Sequence, residues 1–186
     1  MRIAALLALF GLLLSSVALA DDPKIHGLEA EVDGHRVMLD WVMTDAFDHD
    51  LIERVSSGLP TSFTYEIELA KDRKRWFDRP LGHSELQVIA MFDAVTREYL
   101  VNYKLDGKLV ESRMVHNLDE LRQAMTRFDD IPAFTLEPQP ARFRMLVKVR
   151  ALLGSHALFA FIPTRITTDW KESNKFRAPE DLLPPP

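Results

Sequence analysis

The sequence predicts a mostly β chain: a single-domain antiparallel β-sandwich, immunoglobulin-like, with one or two short helices. Three observations predict it. Apolar residues recur at every second position through several separate stretches, the period of a half-buried strand. Two Asp-Gly pairs, Asp33-Gly34 and Asp106-Gly107, fall between such stretches, where a tight turn needs positive φ. No long helical pattern separates consecutive strands, which argues against a parallel βαβ sheet.

The first twenty residues form no part of that domain. Arg2 precedes an apolar run from Ile3 to Leu14, and Ala18-Leu19-Ala20 leads into the acidic start Asp21-Asp22-Pro23. A positive start, an apolar run and an A-x-A end make a secretory signal peptide cleaved after Ala20. The competing reading is a retained anchor, because Ile3 to Ala20 reaches the short edge of the ~17–25 residues that span a bilayer. The chain has no cysteine, so a lipid-anchored cysteine at the cleavage point is excluded. Residues 21–176 then form the domain and 177–186 a Pro-rich tail, extended or disordered. No second apolar run reaches membrane length, so the sequence predicts no membrane span in the mature chain. The expected location is the periplasm or the exterior.

Within the domain the elements follow in order. Ile25–Val32 and His35–Val42 flank the first Asp-Gly pair as a hairpin. Asp48 to Ser56 carries Leu51, Ile52 and Val55 on one helical face, and Gly58 ends it. Phe63, Tyr65, Ile67 and Leu69 alternate with Thr64, Glu66 and Glu68 in a half-buried strand. Leu86, Val88, Ala90 and Phe92 repeat the alternation, and Ile89 and Met91 make the second face apolar too, which suits a central strand. Arg97–Leu105 and Lys108–Val115 form the second hairpin. Asn117 caps a helix whose stripe is Leu118, Leu121, Met125 and Phe128. Arg142 to Arg150 is a strand with Phe143, Met145, Val147 and Val149 inward. Leu158–Thr168 is a strand interrupted at Pro163. The outward bases Arg142, Arg144, Lys148 and Arg150 match the outward acids Glu66 and Glu68 in sign, so the two strands are expected to be antiparallel neighbours.

The composition excludes several chemistries. The formal net charge is −5, and an exported acidic chain is a poor nucleic-acid binder, since that affinity rests on neutralising phosphates. Without cysteine there is no disulfide, thiol nucleophile or thiolate metal site. Histidines at 26, 35, 49, 83, 116 and 156 show no metal-ligand spacing. Asp45, Asp48 and Asp50 lack the alternation of a calcium loop, and Thr44, Asp45 or Asp48 serves as the helix cap. No G-x-S-x-G elbow is present. The sequence therefore predicts no cofactor, no metal and no enzyme.

The candidate interaction surface is the basic segment that follows the strand at Phe63. Arg73, Lys74, Arg75 and Trp76, with Trp170 further on, are its residues. Basic and aromatic side chains so interleaved suit anionic lipid headgroups or an envelope polymer. The plainer reading is a charged strand end with Trp76 turned onto the core.

The segments SGLPTSFTYEIEL, RKRWFD, REYLVNY and TTDWKES, behind a signal peptide, resemble an exported bacterial family described as domain of unknown function 4390. The positions that carry the resemblance are Ser57, Gly58, Pro60, Arg75, Trp76, Tyr99, Asp169 and Trp170. It spans about Ile25 to Asn174, and the tail after Phe176 has no counterpart in it. The resemblance implies an exported envelope domain and carries over no catalytic residue. The function expected is a non-catalytic binding or structural accessory module of the envelope, its partner an envelope protein taken up along an exposed strand edge. The alternative is a small carrier of a lipid or other apolar ligand between the sheets. A direct check of the leader is the intact mass of the protein recovered from its producing cell. A chain starting at Asp21 is expected, and one retaining Met1 would contradict cleavage.

Overall fold

The computed structural model describes residues 22–73, 78–138, 141–154 and 165–183. The expected leader over 1–20 lies outside them, as do Lys74, Arg75 and Trp76. The architecture is an antiparallel β-sandwich of two open sheets. The first hairpin pairs β1 (Lys24–Asp33) with β2 (Arg36–Thr44). Asp33 faces Arg36, so the turn residues are Gly34 and His35, one position later than the Asp-Gly pair suggests. Only Gly34 takes positive φ, 59°, the requirement of a type II′ turn.

A meander follows: β3 (Thr61–Lys71), β4 (Arg79–Asp93), β5 (Glu98–Leu105) and β6 (Lys108–Val115), each antiparallel to the next. Asp106 and Gly107 between β5 and β6 both have positive φ, 49° and 77°, as a type I′ turn demands. The alternation in β3 is borne out, since Phe63, Tyr65, Ile67 and Leu69 are all buried. β4 does run between β3 and β5, yet its second face is only partly covered, with Met91 43% exposed.

The two helices form where their caps lie. In α1 (His49–Ser56) the Asp48 carboxylate accepts the Leu51 N–H at 2.7 Å, so the acidic cluster works as a helix start. In α2 (Leu118–Thr126) Asn117 accepts the Glu120 N–H at 2.9 Å, and Glu120 reaches back to the His116 N–H at 2.9 Å. The apolar stripe extends past the helix: Phe128 belongs to β7 (Arg127–Thr135), a strand the sequence reading did not place. Pro132 hides it, since proline has no N–H for a ladder. β7 tolerates it because it pairs with β2 alone, at the edge of a sheet.

β8 (Met145–Gly154) begins three residues later than the expected start at Arg142. Short β9 (Arg165–Thr167) and β10 (Lys171–Glu172) both pair with it. Residues 158–164 of the strand expected over Leu158–Thr168 lie outside the described residues. The sheets have the orders β1-β2-β7 and β10-β8-β3-β4-β5-β6, with β9 also beside β8. β3 and β8 are antiparallel neighbours, with Glu66 opposite Arg150 and Glu68 opposite Lys148. The matching rows of charge do meet, as expected. Glu66 accepts from Arg150 Nε at 2.5 Å, while the Lys148 ammonium turns to Asp78 at 2.9 Å and Glu172 at 3.4 Å.

Between the sheets lies one apolar core. Val37, Leu39 and Trp41 of β2 are buried with Phe63, Tyr65 and Ile67 of β3, and Val147 and Val149 of β8. Trp41 sits 5.5 Å from Tyr65 and 4.7 Å from Phe128, and Tyr65 4.9 Å from Phe128, by ring centroids. The trio joins β2 and β7 of one sheet to β3 of the other. The Tyr65 hydroxyl donates to the Met125 carbonyl at 2.7 Å, and the Tyr103 hydroxyl to the Ala124 carbonyl at 2.8 Å. Both carbonyls lie in the last turn of α2, where helix geometry provides no partner.

The C-terminal segment folds back instead of extending. The Asn174 side chain accepts the Ala30 N–H at 2.7 Å and donates to the Ala30 carbonyl at 2.9 Å. Leu182 is buried in the core, Glu180 pairs with Arg142 at 2.7 Å, and Asp181 meets His35 at 2.6 Å. The tail expected to be extended from 177 on is thus packed as far as Leu183.

Two outcomes follow for stability. Tyr65→Phe leaves the Met125 carbonyl buried without its donor, which costs about 1–3 kcal/mol; urea unfolding checks it. Asp78 is the second case. A hydrogen bond from Lys148 holds its carboxyl below the ordinary aspartate range, against an opposing effect of burial, with help from the Arg73 N–H. A depressed folded value stabilises above the unfolded value, and that stability is lost as pH falls through the folded one. The stability gap between the wild type and Asp78→Asn should therefore be widest near neutral pH and close in acid, as read by unfolding at several pH values.

Candidate interaction surface

Two acids, Asp72 and Asp78, flank the basic segment. The Asp72 carboxylate, only 7% exposed, pairs with Arg144 at 3.0 Å and Lys175 at 2.9 Å. Asp78 pairs with Lys148 and accepts the Arg73 N–H, at 2.9 and 3.2 Å. Besides Lys71 at the end of β3, Arg73 is the one basic residue of 71–75 that falls within the described residues. The cations around it on β8 and the C-terminal segment are already matched by carboxylates, which lowers the positive potential such a surface needs.

Trp170 lies elsewhere, between β9 and β10. It is 39% exposed, and the Arg150 guanidinium covers its ring at 4.5 Å from the centroid. Arg150 is itself fixed by Glu66, so carboxylate, guanidinium and indole form one stack across β3, β8 and the loop. Trp170 also lines a groove of about 460 Å³ with Lys24, His26, Thr168 and Lys171. Arg73 sits near the Met145 end of β8, and Trp170 covers Arg150 midway along it. The two predicted patches are separate.

The exposed strand edge expected from the sequence without a location falls on β6, a third surface. Among the described residues β6 pairs with β5 and with nothing on its other side. Every second residue of such an edge turns its N–H and C=O outward. Seven of its eight residues are exposed, among them Leu109 and Val110 at 59% each and Met114 at 43%. Across a gap stands β7, the edge of the small sheet. Between them runs a groove of about 440 Å³ with Leu86, Tyr103, Leu105 and Phe128 in its floor. Glu111 and Arg113 form the β6 wall; Arg127, Asp129 and Asp130 belong to the β7 side. The sandwich is open along this seam, while Asn174 ties the C-terminal segment to β1 on the far flank.

The remaining edges are poorer templates. β7 carries Pro132, a positive φ of 57° at Asp130, and two breaks in its register with β2. β1 has Ala30 engaged by Asn174 on both backbone groups. β9 and β10 span three and two residues. β6 is thus the longest regular edge free of such blocks among the described residues, with one bulge at Val110 between Tyr103 and Lys104 of β5. Leu109-Val110 in a row breaks the period-two pattern, and that break is the signal in the sequence that could have pointed here.

No helix among the described residues is long and apolar enough to cross a membrane. Neither a curated protein nor a solved structure matches the chain. A family model does match, over residues 20–173, and its description is a domain of unknown function. That match covers nearly the whole of both sheets, from the start of β1 to the strand β10. The chain belongs to the family of domain of unknown function 4390 (DUF4390).

Proposed function

We propose that this chain is an exported module of the cell envelope that acts by binding, without catalysis, and that its binding element is the open seam at β6. The observation that carries the reading is the eight-residue edge with exposed Leu109, Val110 and Met114 beside an apolar-floored groove. An extended segment of another polypeptide can add to such an edge. Main-chain hydrogen bonds then supply affinity and alternate side chains enter the groove. The export half rests on the leader pattern of residues 1–20.

The carrier reading has less behind it. The space between the sheets is filled by large side chains, with Trp41, Tyr65, Phe63, Leu39 and Ile67 almost wholly buried. An apolar ligand would have to lie in the surface groove. Headgroup binding at the basic segment is likewise set back by the carboxylates at Asp72 and Asp78.

A photocrosslinking residue placed at Ser112 in producing cells tests the seam, with one at exposed Glu180 as the control. A discrete polypeptide adduct at Ser112 alone is expected. No adduct at Ser112, or the same adducts at both positions, would contradict the reading.

A further inference from the structure

We infer that the segment that adds to β6 is β6 of a second copy of this chain, in a two-fold antiparallel pair centred on Ser112. This deepens the reading above and rests on it. When an edge strand pairs with its own copy about an axis normal to the sheet, the two positions that face each other have an even sum. Three such registers in the straight half of β6 bring its charged residues face to face. One centred on Glu111 sets two glutamates face to face. One centred on Arg113 sets two arginines face to face. The register centred on Ser112 sets Glu111 against Arg113 of the partner strand, and Arg113 against Glu111, twice over by symmetry. Like charges directly opposite destabilise a pair of strands and unlike charges favour it. The stretch Val110-Glu111-Ser112-Arg113-Met114 therefore reads as its own complement, with apolar residues at both flanks.

The isolated chain shows how these charges stand without a partner. Arg113 bends along its own strand and donates through Nε and Nη2 to one Glu111 oxygen, at 3.1 and 2.9 Å. Both side chains remain about half exposed, at 52% and 51%. A partner strand offers each of them a directly opposite charge in place of this bent contact. The outer face agrees. Met91, Leu100 and Met114 are register partners across β4, β5 and β6, so an apolar row runs outward and stops at the edge. In the centred register the row ends against the bulge at Val110 of the partner strand.

Sedimentation velocity of residues 21–186, over a wide range of concentration, tests this with four chains. The wild type is expected to dimerise. Glu111→Arg and Arg113→Glu each place like charges opposite one another, and each should raise the dimer Kd by at least about tenfold. The reversed double variant Glu111→Arg/Arg113→Glu restores every opposite pair and should dimerise again. So should an equimolar mixture of the two single variants, a rescue that loss of folding cannot produce. A wild type that stays monomeric at all concentrations overturns the inference, as do single variants that dimerise like the wild type. The Ser112 crosslink separates the two levels. An adduct of twice the chain mass supports the self-pair. An adduct with a different polypeptide overturns the self-pair and leaves the binding module standing. No adduct overturns both.

Discussion

Tyr65 and Tyr103 reach from the large sheet to the last carbonyls of α2, and the layout of the seam depends on those two hydroxyls. α2 is the connection between β6 and β7, the last strand of one sheet and an edge of the other. Helix termini leave backbone carbonyls without partners, and a buried carbonyl left unpaired is costly. The tyrosines satisfy those carbonyls from one side only, the side of β3 and β5. The helix is thereby held at one end of the sandwich, and the chain turns straight from Thr126 into β7. Phe128 then meets Tyr65 and Trp41, which locks β7 to the small sheet. The two edges are held apart, and the groove between them is a consequence of how the helix is moored.

The two flanks of the sandwich differ in kind. On the β8 flank the polar groups are spoken for. Glu66, Lys148, Arg150, Asp72, Asp78 and Lys175 pair among themselves and with neighbours, and Asn174 engages both backbone groups of Ala30. On the β6 flank the backbone edge faces outward and apolar side chains stand exposed. Exposed edges are a hazard that folded chains blunt with proline, short strands, bulges or charge. β7, β9 and β10 show such devices. β6 has one bulge and a pair of opposite charges, and those charges favour one particular partner as readily as they discourage others.

Most of the sheet was legible because one face of each strand is buried and period two then reports it. β3 is the clearest instance, with its four inward residues all buried. Caps were legible for a similar reason: Asp48 and Asn117 stand where a helix start needs an acceptor. β7 was hidden by Pro132, which only an edge position tolerates. β6 was visible as a strand but not as a surface, since its exposure depends on which neighbour it lacks, and that is a property of topology. The first turn shifted from Asp33-Gly34 to Gly34-His35 because one glycine at positive φ serves either turn type. The basic segment drew attention by composition alone. Asp72 and Asp78, on either side of it, are each held in an ion pair.

The measurement that bears most directly on the open edge is amide hydrogen exchange across β6, followed from dilute to concentrated protein, with β3 as the internal reference. β3 has strands on both sides and should exchange slowly throughout. The account predicts that the outward amides of 108–115 exchange fast when the protein is dilute and gain protection as it is concentrated. Slow exchange of β6 at the lowest concentration would mean that its edge is already covered within one chain, and exchange that ignores concentration would mean that no second copy ever covers it.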